Sequence, residues 1–243
     1  LSATREMSVT EVKQLLLPVS QDTGIDLAIQ RESLVRRVKR LVVFDMDSTL
    51  VQGEIIDELA RARGVFEDVS QITERAMQGE LDFSESLRER VALLKGTPVK
   101  VLGEVHGRVK LSPGAGDLVK VLKRLGYRLA VISGGFTFFT DRMKQELGLD
   151  YAYANQLEVR DGHLTGGLVG GIVDGQRKAD LLVTLAQSEG IGLDQVIAIG
   201  DGANDIAMLE LAGLGIAFNA KVKVRERADH AINRPRLDSI LFL

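Results

Sequence analysis

Two aspartates separated by a single residue follow a short apolar run, and this arrangement restricts the possible folds more than any other feature of the chain. The run is Leu41 to Phe44, and the aspartates are Asp45 and Asp47. An uninterrupted apolar run with β-branched residues is typical of a strand buried on both faces of a parallel sheet. Ligand sites in open α/β sheets lie beyond the carboxyl ends of such strands. We therefore predict an α/β fold with both carboxylates at a site, the alternative being a polar loop in which Asp47 or Ser48 caps a helix.

The residues from about 51 to 110 have the spacing of helices rather than strands. A first apolar stripe ends at Gly64, a typical C-cap residue, and consists of Ile55, Ile56, Leu59 and Ala60. Asp82 and Glu85 have the spacing of a capping box, and Thr97 followed by Pro98 predicts another helix start. We predict a helical insertion after the first strand, able to close over the strand ends and exclude water.

Alternating strands and helices return after residue 111. An amphipathic helix is predicted over residues 116–125, and apolar strands over 128–132 and 196–199. The first of these strands ends in Ser133-Gly134-Gly135, where small residues let backbone amides approach an anion. The second ends in Gly-Asp-Gly-Ala-Asn-Asp at 200–205, whose side-chain oxygens suit Mg²⁺. The alternatives are an ordinary Gly-Gly turn and an aspartate-rich turn in which Asn204 or Asp205 caps the next helix.

Two further features lie between these strands. Asp161-Gly162, flanked by alternating residues over 159–168, predicts a β-hairpin that forms a flap. Lys178 begins a helix that buries Leu181, Leu182 and Leu185, near the helix end that attracts anions. A solvated surface lysine is the alternative at that position. We also expect Asp205 to cap the helix that follows it and to bind Lys178.

Composition narrows the classes of function. The 243 residues are 45% hydrophobic and 27% charged, as in a compact globular protein. The net charge of −3 gives no electrostatic reason to expect a nucleic-acid partner. The absence of cysteine excludes disulfides and thiolate ligands, and it fits a reducing compartment. With no apolar run of about 20 residues and no secretory signal pattern, we expect a cytoplasmic protein without a membrane partner.

The first forty residues form a predicted N-terminal extension. Residues 9–17 have helical apolar spacing, 24–29 are predicted as a short strand, and 31–40 as a basic, solvated linker helix. These segments resemble the end of a small regulatory domain of the ACT type. They are too few to bury a core alone.

The ordered set of motifs resembles haloacid dehalogenase (HAD) superfamily phosphatases, and among them closely the phosphoserine phosphatase family. The resemblance runs from about residue 41 to the C-terminus and includes EIIDE at 54–58, SLRERV at 86–91, VISGGF at 131–136 and GDGAND at 200–205. The only notable departure is Met46, at a position that varies in the family. The resemblance implies a Rossmann-like parallel sheet core flanked by helices at 41–50 and 111–243, with a helical cap domain at 51–110 and a small β-hairpin flap.

The resemblance also implies the roles of individual residues in the chemistry. Asp45 is the expected nucleophile and Asp47 the general acid and base. Mg²⁺ is expected on Asp45, the backbone carbonyl of Asp47 and Asp201. The phosphoryl oxygens are expected on Ser133, the Gly134 amide and Lys178, with support from Asn204 and Asp205.

For the substrate, the resemblance implies hydrolysis of O-phospho-L-serine, the last step of serine biosynthesis. Glu54 is expected to bind the ammonium group and Arg90 the carboxylate, which a guanidinium recognises bidentately. Met77 and Phe83 are expected to line the pocket, and Asn204 to contact the substrate. Without the resemblance, Glu54 is a first-turn acid and Arg90 a surface residue. A homodimer is left open.

Three other functions remain as alternatives. One is a related phosphatase or phosphotransferase that acts on phosphohomoserine, phosphothreonine or another small phosphomonoester. The second is a signalling receiver domain, against which the helical insertion, the second aspartate and the acidic Gly-rich loop argue. The third is an inactive amino acid sensor, which the intact set of Asp45, Asp47, Lys178 and Asp201 disfavours.

Overall fold

A seven-stranded sheet forms the centre of the fold. The computed structural model describes residues 7–27 and 39–242. Across the sheet the strands follow the order β4, β3, β2, β1, β5, β6, β7, and only β4 is antiparallel to its neighbour. The strand bounds are β1 Leu41–Phe44, β2 Arg128–Phe136, β3 Tyr151–Arg160, β4 His163–Val169, β5 Val196–Gly200, β6 Leu214–Phe218 and β7 His230–Ile232.

Helices cover both faces of this sheet. Core residues from α6 and α7 pack on one face, and those from α8, α9 and α10 pack on the other. The helix bounds in the described residues are α1 Val9–Thr23, α2 Ile55–Arg63, α3 Phe66–Met77, α4 Phe83–Leu93, α5 Lys100–His106, α6 Ala115–Arg124, α7 Thr137–Leu147, α8 Gly175–Ser188, α9 Ile206–Leu211 and α10 Val222–Arg227. No helix among them is both long and apolar enough to cross a membrane.

The strand β1 lies at the point where the strand order reverses. It pairs in parallel with β2 on one side and with β5 on the other, and all four of its residues are buried. Connections from β1 and its neighbours leave this point in opposite directions, which opens a crevice at the carboxyl end of the strand. The prediction of a buried parallel strand at this position is confirmed, and the strand delivers Asp45 into the crevice.

Four helices, α2 to α5, form the insertion between β1 and α6. The predicted stripe on α2 is buried, and Gly64 ends that helix in the left-handed conformation. The predicted capping box is present at α4, where the carboxylate of Asp82 accepts from Glu85 N and the carboxylate of Glu85 accepts from Asp82 N. The chain enters and leaves the insertion side by side, with Gln52 N donating to Lys110 O at 2.9 Å. The insertion therefore joins the core through two adjacent backbone segments.

The predicted hairpin is β3 and β4, with Asp161 and Gly162 in its turn at positive φ, as two-residue hairpin turns require. It is longer than predicted, because β3 also pairs with β2 and so extends the central sheet. Its β4 side hydrogen-bonds to the insertion, where Gly96 N donates to Leu164 O at 2.8 Å and Leu164 N donates to Thr97 O at 2.9 Å. The hairpin thus connects the sheet to the insertion.

Two predicted boundaries are wrong. The helix predicted to begin at Thr97-Pro98 begins instead at Lys100, because the carbonyl of Thr97 accepts a hydrogen bond from Leu164 N in the hairpin. The buried hydroxyl of Thr97 does not cap the helix and has no partner among the described residues. The strand predicted over 128–132 continues to Phe136, because Phe136 pairs with Asn155 of β3 after a shift of register. Ser133, Gly134 and Gly135 lie in this irregular part of the strand rather than in a turn that ends it.

The N-terminal segment contains the predicted helix as α1. Residues 24–27 are not in a strand, and residues 28 and 29 of that prediction lie outside the described residues. The predicted linker helix falls mostly on residues 31–38, which also lie outside them. The end of this segment contacts the C-terminal part of the core, where Asn233 N donates to the carboxylate of Asp26 and Arg234 donates to Gly24 O.

Candidate active site

The turn after β1 orients the first pair of carboxylates. The turn spans Met46–Leu50 and is closed by Val51 N donating to Met46 O, but its backbone is not helical at Asp47 or at Ser48, where φ is 55°. Positive φ is uncommon for a residue other than glycine and recurs where the surrounding structure imposes it. The turn leaves Asp45 buried and brings Asp47 to the start of α2, where Ile55 N donates to Asp47 Oδ1 at 3.0 Å. The insertion therefore holds one of the two carboxylates through its first helical amide.

Lys178 is fully buried between two of the carboxylates. Its Nζ donates to Asp45 Oδ1 at 2.5 Å and to Asp205 Oδ1 at 2.7 Å. Burial alone lowers the pKa of Lys178, but the charges of Asp205 and Asp45 outweigh burial and raise the pKa above its ordinary value. The alternative of a solvated surface lysine is wrong, and Lys178 is a fixed cation in contact with Asp45.

Replacement of Lys178 by methionine is expected to lower the free energy of unfolding by about 3–5 kcal/mol, because it leaves two buried carboxylates without their cation. Urea unfolding at pH 7 in the presence of a chelator measures this change. Lys120→Met, at an exposed position of α6, is the control and should stay within about 0.5 kcal/mol of the parent. The double variant K178M/D205N should recover part of the loss, and a loss no larger than that of Lys120→Met would contradict the assignment.

Asp205 holds the acidic loop together instead of capping α9. Its Oδ1 accepts from Lys178, and its Oδ2 accepts from Asp201 N at 3.1 Å and from Gly202 N at 3.0 Å. The prediction that it binds Lys178 is confirmed. The prediction that it caps the following helix is wrong, because α9 has no side-chain cap bond and the carboxylate turns back toward the loop.

Oxygen ligands suitable for a metal ion meet at this point. Carboxylate oxygens of Asp45, Asp201 and Asp205 lie within 4.8 Å of one another. Hydrogen bonds already occupy both oxygens of Asp205 and Oδ1 of Asp201, the latter through Thr49 Oγ1 at 3.1 Å. Within the described ranges, the second carboxylate oxygen of Asp45 and of Asp201 accepts no hydrogen bond, and oxygen-only donors fit a hard divalent ion.

The electrostatics also favour a cation here. Burial, and then the negative charge of Asp205, raise the pKa of Asp45 well above its ordinary value. The same two causes raise the pKa of Asp201 to about 7. Lys178 alone does not balance this group of carboxylates, so a bound divalent cation would favour their ionised forms.

Asp47 has the protonation behaviour that a proton donor needs. Burial, followed by the negative charge of Glu54, raises the pKa of Asp47 to about 8. A carboxyl group with this pKa carries its proton at neutral pH and can release it to a stronger base. Asp47 and its neighbour Asp45 thus occupy different environments, one against the insertion and one against Lys178.

The end of β2 approaches Asp47 from the other side. Ser133 is buried, with its Oγ 3.4 Å from Asp47 Oδ2 and accepting from Gly135 N at 2.8 Å. A side-chain carbon added at Gly135 would lie 2.7 Å from Asp47 Oδ2, so only glycine fits there. The ends of β1, β2 and β5, together with the first turn of α8, therefore bring Asp45, Asp47, Ser133, Lys178 and Asp201 to one place.

The insertion contributes the predicted substrate contacts to differing degrees. Glu54 precedes α2, is exposed, and accepts from Ser48 Oγ at 3.1 Å. Arg90 on α4 donates to Ser86 O at 3.3 Å. Burial lowers the pKa of Arg90, whereas the negative charges of Glu54, Asp57 and Asp47 oppose that change. Arg90 is thus a half-buried cation on α4, and its binding of a substrate carboxylate stays a prediction.

Two of the remaining residues meet at Gly134. A carbon added there would lie 2.7 Å from Phe83 Cζ and 3.6 Å from Asn204 Nδ2, so Phe83 reaches from the insertion onto the core. Met77, by contrast, is 67% exposed at the end of α3, with its Sδ 3.7 Å from Lys221 Nζ. The structure does not bring Met77 together with the other site residues.

Sequence reasoning left three supporting side chains without a role. Ser48 and Thr49 hold Glu54 and Asp201 respectively, and their position directly after Asp47 was the available signal. Asn155 in β3 bonds the backbone of Gly134 and Val173, and no sequence pattern marks it. A cavity of about 220 Å³ is lined by Gln52, Glu54, Ile55, Glu58, Arg108, Val109 and Lys110.

Comparison with known proteins identifies relatives of the whole described core. A sequence profile of the haloacid dehalogenase-like hydrolases matches residues 42–210. A phosphoserine phosphatase from Archaeoglobus fulgidus is 52% identical over 232 residues, which cover 96% of this chain and 67% of the relative. A phosphoserine phosphatase from Streptomyces coelicolor is 52% identical over 220 residues, which cover 90% of this chain and 54% of the relative. The chain thus spans between about half and two thirds of the length of these relatives.

Solved structures show the same architecture. One, described as a phospho-aspartyl intermediate analogue of phosphoserine phosphatase, is 48% identical with a TM-score of 0.79, covering 84% of this chain and 98% of the other. Another, described as a substrate-bound phosphoserine phosphatase complex, is 47% identical with a TM-score of 0.80, covering 84% and 97%. The sheet, the helical insertion and the hairpin therefore belong to a fold shared with these proteins.

Proposed function

The chain belongs to the haloacid dehalogenase-like hydrolase family, and from this premise we propose that it is a Mg²⁺-dependent phosphatase that hydrolyses O-phospho-L-serine to L-serine and phosphate. The observation that carries the proposal is the buried contact of Asp45 with Lys178, beside Asp47, whose pKa is raised to about 8 by burial and by the charge of Glu54. Two relatives named phosphoserine phosphatase, each 52% identical to this chain, support the choice of phosphoserine as the substrate.

The reaction proceeds through two displacements at phosphorus. A carboxylate oxygen of Asp45 forms a bond to phosphorus while the bond from phosphorus to the serine oxygen breaks, and Asp47 gives its proton to that oxygen. Water then attacks the aspartyl phosphate, Asp47 takes a proton from the water, and inorganic phosphate leaves with Asp45 restored. Division into two steps replaces one difficult hydrolysis by two easier transfers. A carboxyl with a pKa of about 8 is suited to both proton transfers.

The phosphoryl oxygens are bound by Ser133, the amide of Gly134 and Lys178. These groups are fixed before the substrate arrives, since Ser133 and Lys178 are both fully buried and hydrogen-bonded. Fixed donors stabilise the charge that spreads over the oxygens in the transition state. Asp205 supports this arrangement by holding Lys178 from the opposite side.

Asp45, Asp201 and the backbone carbonyl of Asp47 would hold Mg²⁺, in agreement with the free carboxylate oxygens at this point. When bound, the ion offsets the repulsion between a carboxylate nucleophile and the dianionic phosphate. Asp205 is not included in the proposed ligands, because both of its oxygens accept hydrogen bonds, from Lys178 and from the loop amides.

The amino acid part of the substrate is recognised by the insertion. Arg90 binds the carboxylate and Glu54 the ammonium group, while Phe83 covers Gly134 and excludes water. Asn204 contacts the substrate from the core side. Met77 is proposed to join this lining when substrate is bound, since it lies at the end of α3 and contacts Lys221, which follows the carboxyl end of β6.

Replacement of Arg90 by alanine is expected to raise KM for phosphoserine by about 10–100-fold, because the substrate carboxylate loses a charge-assisted partner. KM for p-nitrophenyl phosphate, which has no such carboxylate, should change less than about threefold. Arg88→Ala, at an exposed position of the same helix, is the matched control and should leave both values unchanged. Equal effects of Arg90→Ala on both substrates would show that Arg90 is structural.

A substrate panel tests the function as a whole. Phosphate release is measured with O-phospho-L-serine, O-phospho-L-threonine, phosphohomoserine and p-nitrophenyl phosphate, each after chelation and after addition of Mg²⁺. We expect phosphoserine to be preferred by about 10²-fold in kcat/KM and activity to require the added metal. Preference for an ester without the amino acid group would overturn the substrate, and transfer to an added alcohol instead of water would make the protein a phosphotransferase.

The organisation of the rest of the protein follows as part of the same proposal. Residues 41–50 and 111–243 form the catalytic core, 51–110 the cap, and 1–40 an N-terminal extension that resembles part of a regulatory domain. A role in serine biosynthesis, a cytoplasmic location and a homodimer stay predictions. The absence of cysteine supports the cytoplasmic location. The net charge of −3 supports the prediction of no nucleic-acid partner.

A further inference from the structure

Asn155 is a buried polar residue in the middle of β3, next to the end of β2. It is 2% exposed, and its side-chain amide makes two hydrogen bonds to backbone groups. Nδ2 donates to Gly134 O at 2.8 Å, and Oδ1 accepts from Val173 N at 2.7 Å. Because a carbonyl can only accept and an amide N–H can only donate, these partners allow a single orientation of the Asn155 amide.

The hydrogen bond from Asn155 to Gly134 O restrains the peptide group between Gly134 and Gly135. The same peptide carries the N–H of Gly135, which donates to Ser133 Oγ at 2.8 Å. No cis peptide bond occurs in the described residues, and in a trans peptide the carbonyl and the N–H point in opposite directions. Asn155 therefore holds the carbonyl on one side, and this aims the N–H at Ser133 on the other.

This peptide needs such a restraint because it joins two glycines. Glycine has access to more backbone conformations than any other residue, so a Gly-Gly peptide reorients at low cost. Larger residues are not a solution at these positions, since a carbon added at Gly134 would meet Phe83 and one at Gly135 would meet Asp47. The restraint therefore comes from a neighbouring strand.

The direction of the Gly135 N–H decides what Ser133 can do. A hydroxyl has one proton to donate and two lone pairs to accept. With one lone pair engaged by Gly135 N, the Ser133 hydroxyl points its proton away from that amide and donates it to Asp47 Oδ2 at 3.4 Å. This is the side on which the phosphoryl oxygens are proposed to bind.

We propose that Asn155 is a positioning residue that fixes the hydroxyl of Ser133 as a hydrogen-bond donor to the phosphoryl group. Its second bond ties the same amide to Val173, next to Asp174, which caps α8 and thus sets the start of the helix that carries Lys178. Asn155 therefore links two phosphate-binding elements without contacting the substrate. The inference rests on the proposed phosphatase function.

A double-mutant cycle with Ser133 tests this role. Asn155→Leu removes both hydrogen bonds at nearly constant volume. In the otherwise wild-type protein it is expected to lower kcat/KM by about tenfold or more, the scale of a lost hydrogen bond. In the Ser133→Ala background the same substitution should change kcat/KM by less than about threefold, because the hydroxyl that it positions is already gone. Phosphate release from phosphoserine, or from p-nitrophenyl phosphate if that is the better substrate, is the readout.

Equal losses in the two backgrounds would overturn the proposal, because a structural defect acts whether or not Ser133 is present. Thr140→Val is the matched control, as it also removes a buried side-chain hydrogen bond, the one that Thr140 Oγ1 donates to Thr137 O within α7. Its effect should be small and the same in both backgrounds. If Asn155→Leu does not fold, Asn155→Ser, which is smaller than asparagine, is taken through the same cycle. A wild-type protein inactive on all phosphate monoesters would instead refute the proposed function.

Discussion

Replacement of Asp45 by asparagine is expected to lower phosphoserine turnover by at least about 10⁴-fold, because an amide oxygen cannot serve as the attacking nucleophile. The asparagine has the same shape, and its Oδ1 can still accept from Lys178, as Asp45 Oδ1 does at 2.5 Å. The loss therefore reflects chemistry and not disruption of the site. Steady-state phosphate release measures it, and acid quenching of the parent followed by mass spectrometry should find a phosphoryl group on the peptide containing Asp45.

Stability provides an independent readout for this variant. Asp45 shares one buried ammonium with Asp205 and stands near Asp47 and Asp201, so removal of its charge relieves repulsion among the carboxylates. We expect the free energy of unfolding of Asp45→Asn, measured without metal, to equal or exceed that of the parent. Asp180→Asn, at an exposed position of α8, should retain full activity and serves as the control. Substantial turnover by Asp45→Asn would place the nucleophile elsewhere.

Local patterns in the sequence predicted those parts of the fold that local chemistry decides. The buried run before Asp45, the capping box of Asp82 and Glu85, and the Asp161-Gly162 turn all form as expected. In each case the determining contacts lie within a few residues of one another along the chain. Such a local pattern is therefore sufficient to predict the structure of its segment.

The predictions are wrong at positions where contacts with a segment distant in the sequence determine the local structure. Threonine is a common helix cap, but the backbone carbonyl of Thr97 is hydrogen-bonded to the hairpin and α5 begins at Lys100. The strand through Ser133 is longer than its apolar run because β3 lies beside it. Asp205 turns toward Lys178 and the loop amides instead of α9. Tertiary contacts override local preference at all three positions.

The site was predictable to the extent that its residues follow strands. The carboxyl ends of parallel strands meet at one edge, which is why Asp45, Ser133 and Asp201 could be expected together. Asn155 could not be found in this way, because it stands inside a strand and acts only on backbone groups. Burial of Lys178 was equally hidden, since it follows from the two carboxylates around it and not from its own position on α8.

Replacement of Asp47 by asparagine is expected to lower kcat for phosphoserine by about 10²–10⁴-fold, because the departing serine oxygen then receives no proton. Asparagine can still accept from Ile55 N, as Asp47 Oδ1 does at 3.0 Å, so the turn after β1 keeps its link to the insertion. With p-nitrophenyl phosphate the leaving group is stable as an anion, and the first step does not need the proton. Stopped-flow absorbance follows release of nitrophenol directly.

The two steps should therefore separate in Asp47→Asn. The aryl ester should give a rapid burst of nitrophenol close to one per enzyme, followed by slow turnover, because the attacking water has lost its base while Asp45 remains phosphorylated. Ser133→Ala is the contrasting variant, since loss of a phosphoryl contact should slow the first step for both substrates without a burst. A first step slowed equally for phosphoserine and the aryl ester in Asp47→Asn would mean that Asp47 positions the nucleophile and does not transfer the proton. The pKa of about 8, which burial and Glu54 impose on Asp47, favours proton transfer, because the group then carries its proton when the substrate binds at neutral pH.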